Sequence, residues 1–205
     1  MIRLVDYGVG NIQAFLNAFK RLGLPAERAR TPLELVSATR LILPGVGAFD
    51  HAMQLFNQSG LRETVETMVH AQQVPLLGVC VGMQMLAGGS DEGELPGLNW
   101  IPGRVRAFAN APASTQLPMP HMGWNDVKVK PAGGKLFTGC EPKPRFYFLH
   151  SYYFEAEDRA HVAATANYGL EFDCIVSRNH IHGVQCHPEK SHHFGVQLLK
   201  NFAEL

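Results

Sequence analysis

Short apolar segments alternate with amphipathic segments through the first half of the sequence, and this alternation limits the fold. Strand-like runs lie at residues 1–7 and 40–43 and just before Cys80, and each is followed by a turn containing glycine. Between them lie three segments with apolar side chains at helical spacing, at residues 12–22, 50–57 and 61–72. Because strands that alternate with helices favour a parallel sheet, we expect an α/β fold with helices flanking a central, mostly parallel sheet.

The second half of the sequence changes to short β segments. From about residue 103 they read RVRAF, HMGWNDVKV, RFYFLHSYYF, HVAATANY, DCIVSRN and HIHGVQC, punctuated by Gly and Pro. These segments predict hairpins that extend the same sheet with an antiparallel or mixed part. Residues 109–120 are predicted to form a mobile loop, and residues 191–203 a closing helix. The expected organisation is a single domain over residues 1–205.

Composition and charge narrow the class of protein. Among the 205 residues, 18 basic residues balance 18 acidic ones, so no net charge favours nucleic acid or an acidic membrane as a partner. The apolar runs are too short and too often broken for a membrane span, and the N-terminus does not read as a secretion signal. Four cysteines without framework spacing indicate reduced thiols. We therefore expect a soluble, cytoplasmic protein.

The segment VPLLGVCVGMQML at 74–86 places a thiol at a strand-to-helix junction. Gly78 and Gly82 flank Cys80 two residues away on each side and allow a tight turn without a Cβ clash. At the end of a strand and the start of a helix, unpaired N–H groups and the helix dipole favour the thiolate, and the N–H of Val81 is placed to donate to an oxyanion. A small core cysteine fits the same pattern, so this segment alone leaves both interpretations open.

A candidate base for the thiol lies far along the chain, in GVQCHPEKS at 183–191. His187 follows a strand-like run, Pro188 ends that run, and Glu189 comes two residues after the histidine. A carboxylate at this spacing can hold Nδ1–H of the imidazole and leave Nε2 to face the sulfur. A solvated surface turn has the same pattern, but together with the glycine-flanked Cys80 the segment predicts a Cys-His-Glu triad.

Two other patterns raise the question of a metal or a cofactor. Residues 180–193 contain five of the ten histidines, yet their spacing is not that of a zinc site, and a metal on His187 would disable the proposed base. Two G-x-G patterns, at 8–10 and 45–47, lack the third glycine of a dinucleotide-binding loop, because Gln13 and Asp50 stand at that position. We therefore expect neither a metal nor a cofactor.

GVCVGMQML and GVQCHPEKS together resemble the class I glutamine amidotransferases, whose Cys-His-Glu triad hydrolyses the side-chain amide of glutamine. More closely, the chain resembles the glutaminase subunits of imidazole glycerol phosphate synthase, an enzyme of histidine biosynthesis. This resemblance runs from end to end of the chain. It is carried by DYGVGN at 6–11, LPGVGAF at 43–49, HMGWN at 121–125, FYFLHSYYF at 146–154 and HPEKS at 187–191.

The resemblance implies a role for each matching position. Cys80 would attack the glutamine amide, His187 would pass a proton to the departing ammonia, and Glu189 would orient His187. The second oxyanion donor would come from the Val46–Gly47 backbone, in a loop implied to rearrange when the partner carries its substrate. The residues implied to hold glutamine are Gly47, Gln84, Ser151 and Tyr152.

The resemblance also implies a partner, a (β/α)8-barrel cyclase that receives the ammonia through a tunnel and forms imidazole glycerol phosphate and a purine precursor. The residues implied to face it are Asn11, Trp124, Asn125 and Lys190. Two other functions are weighed against this one. A glutaminase serving pyridoxal phosphate synthesis is disfavoured by HMGWN and HPEKS, and a catalytically idle, amidotransferase-like binding protein is disfavoured by the intact Cys80, His187 and Glu189.

Overall fold

Twelve strands and six α-helices make up most of the computed structural model, which describes residues 1–111 and 117–205. The strands are β1 (Ile2–Val5), β2 (Ala26–Ala29), β3 (Arg40–Gly45), β4 (Leu76–Cys80), β5 (Gly103–Ala107), β6 (His121–Asp126), β7 (Lys128–Val129), β8 (Arg145–His150), β9 (Tyr152–Ala156), β10 (Val162–Asn167), β11 (Glu171–Arg178) and β12 (Ile181–Val184). The helices are α1 (Ile12–Arg21), α2 (Pro32–Leu35), α3 (Phe49–Gln58), α4 (Arg62–His70), α5 (Val81–Gln84) and α6 (His192–Glu204). None of the helices in these two ranges has the length and apolar character of a membrane span.

A ten-stranded sheet forms the centre of the fold. Its parallel part runs in the order β2-β1-β3-β4-β12, with every pairing between neighbours parallel. Antiparallel strands β11, β10 and β7 continue from β12, and β9 and β5 branch from β11. The structure thus confirms the predicted α/β fold with a mostly parallel centre and an antiparallel extension. Helices α1, α3, α4 and α6 lie within two residues of their predicted bounds.

The parallel strands bring three separate parts of the chain to one edge of the sheet. Strands β3 and β4 are buried on both faces, which explains why their sequences read as nearly continuous apolar runs. In their register Cys80 pairs with Gly45, and Val79 pairs with Val184 of β12. Because these strands are parallel neighbours, the residues that follow them meet at the same edge.

Strands β6 and β8 differ from the prediction, because they form a separate two-stranded sheet and do not extend the central one. They pair in register from His121 opposite His150 to Asp126 opposite Arg145, and we call this pair the β6–β8 ribbon. One face of the ribbon is aromatic, and Phe148 and His150 pack against Phe172 of β11 with ring centroids 6.0 and 5.3 Å apart. The aromatic face is therefore buried by lying over the sheet.

Strand β2 was not predicted, and its sequence gives the reason. The segment AERA is mostly polar and partly exposed, because β2 lies at the outer edge of the sheet and pairs only with β1. The loop predicted at residues 109–120 falls partly outside the described residues, at 112–116. Its described part begins with a 3₁₀ turn over Phe108–Asn110.

Candidate active site

Cys80 occupies the turn between β4 and α5 in a backbone conformation that residues with a side chain rarely adopt. Its φ is +55° and its ψ is −114°, and its side chain lies at the edge where the parallel strands end. The flanking glycines permit this turn, as predicted. A Cβ atom on Gly82 would lie 1.9 Å from the carbonyl oxygen of Leu43, and one on Gly78 would lie 2.6 Å from the carbonyl oxygen of Gly82.

A helix follows Cys80, as predicted, and it is short. Helix α5 is a single turn of four residues, Val81–Gln84, so its dipole is a small source of positive potential. The sulfur has a stronger partner in His187, because its interaction with that ring is one of the causes that raise the pKa of the histidine. An imidazolium is therefore the main group that can stabilise a thiolate at this position.

His187 is held by hydrogen bonds of its backbone to strand β8. Its N–H donates to the carbonyl oxygen of Tyr147 at 2.8 Å, and its own carbonyl accepts from the hydroxyl of Ser191 at 2.6 Å. The same hydroxyl accepts from the N–H of Tyr147 at 2.9 Å. Ser191 is fully buried and ties the HPEKS segment to the ribbon, a role that sequence reasoning missed.

The structure brings the three predicted triad residues together. Nδ1 of His187 lies 2.9 Å from Oε1 of Glu189, and the two side chains are 7% and 2% exposed. Burial lowers the pKa of His187, but the hydrogen bonds to Cys80 and Glu189 outweigh burial and raise that pKa to about 9. Because Nδ1–H is directed at the carboxylate, Nε2 is the atom that faces the sulfur.

A cavity of about 320 Å³ opens beside the sulfur. It is lined by both predicted oxyanion residues and all four predicted glutamine-binding residues, together with triad members and five further residues. The lining residues are Val46, Gly47, Cys80, Val81, Gln84, Glu92, Pro120, Leu149, His150, Ser151, Tyr152, His187 and Lys190. This volume suits a small amino acid and is too small for a dinucleotide.

Buried amides connect the cavity wall to the nucleophile. Nε2 of Gln84 donates to Oε1 of Gln185 at 3.1 Å and to the carbonyl oxygen of Tyr152 at 3.4 Å. In turn, Nε2 of Gln185 donates to Sγ of Cys80 at 3.7 Å. Gln185 was not predicted, because a glutamine inside a strand-like run carries no signal of its own; only its distance from Cys80 in the fold identifies it.

Glu92 is a second residue that sequence reasoning missed. Its Oε2 accepts from the N–H of Phe49 at 2.9 Å, at the start of α3, where Ala48 supplies no side-chain cap. The carboxylate is therefore fixed at a helix N-terminus while the side chain lines the cavity. Its segment, SDEGEL, has the composition of an ordinary acidic loop, so only the fold reveals its place.

Tyr7 supports the loop after β3 from beneath. Its hydroxyl donates to the carbonyl oxygen of Pro44 at 2.6 Å, two residues before Val46. Burial, and next the negative charge of Cys80, raise the pKa of Tyr7 well above its ordinary value, so the phenol remains a donor. Gly47 has a φ of +85°, a conformation that favours glycine at this position.

The four residues predicted to face a partner differ in their exposure and in their contacts within the chain. Trp124 is 41% exposed, and the amino group of Lys190 lies 6.0 Å from the ring centroid of Tyr147, beside the cavity. Asn11 is exposed and caps α1 by accepting from the N–H of Ala14 at 3.2 Å. The amide of Asn125 is directed inward, where it donates to the carbonyl oxygen of Asn167 at 2.8 Å.

The other cysteines and histidines of the predicted segments are dispersed. Cys140, Cys174 and Cys186 are free thiols, as Cys80 is. Nε2 of His180 lies 2.7 Å from the carbonyl oxygen of Val69, and Nδ1 of His182 lies 2.9 Å from the hydroxyl of Ser177. These histidines therefore have partners within the protein.

A strained cysteine at a strand-to-helix turn, paired with a distant His and Glu on an α/β sheet, defines a hydrolase of the amidotransferase type. The family model described as "Glutamine amidotransferase class-I" matches residues 3–205, and the chain belongs to this family. The fold agrees. A crystal structure of a glutamine amidotransferase superposes with a TM-score of 0.77 at 21% identity, covering 99% of this chain and 97% of the other. A glutamine amidotransferase from Thermotoga maritima gives a TM-score of 0.65 at 14% identity, covering 99% and 82%.

Several relatives of higher identity are named as the HisH subunit of imidazole glycerol phosphate synthase. The protein of that name from Bdellovibrio bacteriovorus is 60% identical over 205 residues, with 100% of both chains covered. The one from Leptospira interrogans is 48% identical over the same length, again with full coverage of both chains. In Pseudomonas aeruginosa, a protein named subunit HisH 2 is 43% identical over 205 residues, with both chains fully covered.

Proposed function

We propose that this chain is the glutaminase subunit of imidazole glycerol phosphate synthase. It hydrolyses glutamine to glutamate and ammonia and passes the ammonia to a cyclase subunit, which makes imidazole glycerol phosphate and the purine precursor AICAR in histidine biosynthesis. The observation that carries this proposal is the hydrogen-bonded pair of His187 and Glu189, with His187 lining the same cavity as Cys80, in a chain 60% identical, over its full length, to a relative of that name. The proposed protein is a single domain over residues 1–205 that acts in the cytoplasm without a metal or other cofactor.

The proposed reaction begins with a thiolate and an imidazolium. The pKa of His187, raised to about 9, supports a protonated ring at neutral pH. The sulfur of Cys80 attacks the amide carbon of glutamine, and the C=O electrons move to oxygen. The backbone N–H of Val81 and the Val46–Gly47 backbone are the proposed donors to this oxyanion.

Collapse of the tetrahedral intermediate releases ammonia and leaves a thioester. His187 gives its proton to the departing nitrogen and becomes neutral, with Glu189 holding Nδ1–H throughout. A water molecule then attacks the thioester, and His187 takes one of its protons. Expulsion of the thiolate yields glutamate and restores the pair of Cys80 and His187, so one water is consumed for each ammonia formed.

The proposed glutamine site uses the polar wall of the cavity. Gly47, Gln84, Ser151 and Tyr152 contact the substrate, and all four line the space beside the sulfur. The substrate also carries an ammonium group that needs a counter-charge. Glu92 is a carboxylate on the cavity wall, and we assign it this role because its position is fixed by the N–H of Phe49.

The proposed partner is a (β/α)8-barrel cyclase that covers the cavity mouth and forms a heterodimer with this chain; neither nucleic acid nor a membrane is proposed as a partner. The outer face of the β6–β8 ribbon supports this docking surface. Met122 is 62% exposed, and its cross-strand neighbour Leu149, 37% exposed, lines the cavity. Apolar side chains grouped at a pocket mouth mark an interaction surface. Around it we assign contacts to Asn11, Trp124, Asn125 and Lys190.

The decisive experiment is glutaminase kinetics with and without the barrel cyclase and its nucleotide ligand. We expect slow hydrolysis by the isolated chain and a large acceleration in the liganded complex. Cys80→Ala should abolish glutamine-dependent synthesis by the complex and leave synthesis from added ammonium salt intact. The matched control is Cys140→Ala, which removes a half-buried free thiol that does not line the cavity and should retain both activities.

Three results would contradict this proposal. Loss of both activities in Cys80→Ala would refute the division of labour between the two proteins. Full glutaminase activity of the isolated chain would refute control by the partner. Association with a different synthase in place of the barrel cyclase would assign the chain to another glutaminase of the class.

A further inference from the structure

Two buried histidines form a hydrogen-bonded row that runs from the cavity wall, which His150 lines, into the β6–β8 ribbon. Nδ1 of His121 lies 2.9 Å from Nε2 of His150, and Nδ1 of His150 lies 2.7 Å from the carbonyl oxygen of Tyr152. At the other end, Nε2 of His121 lies 3.2 Å from Nδ2 of Asn125. His121 and His150 are 3% and 6% exposed, and the steps proposed above use neither of them.

The contacts fix which atom of each ring carries the proton. A carbonyl oxygen can only accept, so Nδ1 of His150 is protonated. Burial lowers the pKa of His150 to about 3 and that of His121 to about 4, so both rings are neutral at pH 7. Nε2 of His150 therefore accepts from Nδ1–H of His121, whose own Nε2 accepts from Asn125. Donation runs in one direction, from Asn125 to Tyr152.

The row joins the ribbon to the wall of the glutamine site. Side chains alternate along β6, so His121 is buried while its neighbour Met122, 62% exposed, lies on the outer face. At the far end, the carbonyl of Tyr152 also accepts from Nε2 of Gln84 at 3.4 Å. The ring of His121 is stacked between Phe148 and Tyr168, with centroids 5.0 and 4.1 Å away, which restricts its tilt.

We propose that His121 and His150 are positioning residues that hold the Ser151–Tyr152 wall of the glutamine site from beneath the partner-docking ribbon. The inference rests on the proposed function, because it assigns the pair an effect on glutamine binding. Neither ring contacts the reacting atoms in this role. The pair fixes the position of the Tyr152 carbonyl oxygen, which also accepts from Gln84. Movement of β6 on docking therefore changes the shape of the wall.

The test compares two replacements of His150 in the complex with the barrel cyclase. His150→Phe keeps an aromatic ring but leaves the Tyr152 carbonyl without this donor, so we expect the KM for glutamine to rise about tenfold. The kcat should change by less than about threefold, because the triad is untouched. In His150→Asn the side-chain Nδ2 can donate from the place of Nδ1, and we expect the KM to return close to the wild-type value.

The matched control is His182→Phe. His182 is also buried, at 7% exposure, and it also bonds a polar group through Nδ1, but it lines a different cavity. The variant His182→Phe should therefore leave the KM for glutamine unchanged. An equal rise of the KM in His182→Phe, or an unchanged KM in His150→Phe, would refute the inference.

Nitrogen NMR of the wild-type imidazoles supplies a test that needs no variant to fold. We expect the Nδ1–H tautomer at both His121 and His150, and an Nε2–H tautomer at either would overturn the row. A wild-type complex that does not hydrolyse glutamine would refute the proposed function itself. An active wild-type complex with an unaltered His150→Phe KM would refute the positioning role alone.

Discussion

Gly82 lies so close to the backbone of Leu43 that a Cβ atom at position 82 would stand 1.9 Å from the Leu43 carbonyl oxygen. This approach brings the first turn of α5 against the end of β3. It therefore sets the distance between the sulfur-bearing turn and the loop that begins at Gly45. The neighbouring atom belongs to the backbone of a buried strand and has little room to move.

Gly82→Ala should destabilise the fold and displace the Cys80 turn. We expect the free energy of unfolding to fall by about 3 kcal/mol, since the added methyl group has no space. Urea denaturation followed by circular dichroism measures this loss. The control is Gly89→Ala, where the nearest atom is the end of the flexible Arg104 side chain at 3.2 Å. Equal midpoints for Gly82→Ala and the wild type would contradict the close approach.

The contribution of His187 to stability should decline as the pH rises. Its pKa is raised from the ordinary 6.5 to about 9 in the folded protein, so the folded state holds the proton more tightly than the unfolded state. The stabilisation is thus fully present below pH 6.5 and is lost as the pH passes through about 9. Urea unfolding of wild type and His187→Gln at pH 6 to 10 should show the difference between them shrinking.

His182→Gln is the control for this pH dependence. Burial lowers the pKa of His182 to about 4, so its ring is neutral in the folded protein, and above about pH 7.5, where the unfolded ring is neutral as well, it should add no slope. A constant difference between wild type and His187→Gln across the interval would mean that His187 is not held as an imidazolium.

Glu189→Gln should slow glutamine hydrolysis without unfolding the protein. An amide oxygen can still accept from Nδ1–H of His187, but the charge that favours the imidazolium is lost. We expect kcat to fall about 100-fold, less than on loss of Cys80. The loss of this charge also removes part of the stabilisation of the imidazolium, so the variant should fold with a lower free energy of unfolding at neutral pH. Steady-state kinetics of the complex measures the effect, with the exposed Glu63→Gln as control; an unchanged kcat would argue against an orienting role.

Trp124→Ala should weaken binding of the barrel cyclase. The indole is 41% exposed and contacts His192 with ring centroids 5.3 Å apart, so the isolated chain should keep its stability. Loss of a central aromatic anchor should raise the Kd about 30-fold. Isothermal titration calorimetry measures the Kd of Trp124→Ala and of a control, Leu33→Ala, which truncates an 83% exposed side chain on α2. Equal affinities for the two variants would place the interface elsewhere.

The sequence could predict the parts of the site that depend on local pattern. The glycines around Cys80 indicate a tight turn because only local sterics are involved, and HPE predicts a carboxylate within reach of its own histidine. The fold class follows from the alternation of strands and helices. Each of these inferences uses residues close together in the chain, where spacing and backbone geometry are strongly linked.

Other parts depend on tertiary contacts that leave no local trace. Strand β2 is polar because it is an edge strand, and the β6–β8 ribbon pairs segments about twenty residues apart and packs across the sheet. Glu92 reaches the cavity, and Gln185 reaches the sulfur of Cys80, only through the packing of α3 and of the residue that follows β12. The sequence predicted that a helix starts after Cys80, but its single turn, Val81–Gln84, is set by the fold.

The positive φ of Cys80 means that the residue needed for the reaction is not the residue that would make the fold most stable. A residue with a Cβ atom held at +55° costs about 1–3 kcal/mol, and glycine at the same place would escape most of that cost. Purifying selection for the thiol must therefore act continuously against a more stable alternative. A lineage that came to draw its nitrogen from free ammonium would be expected to drift towards glycine at this position.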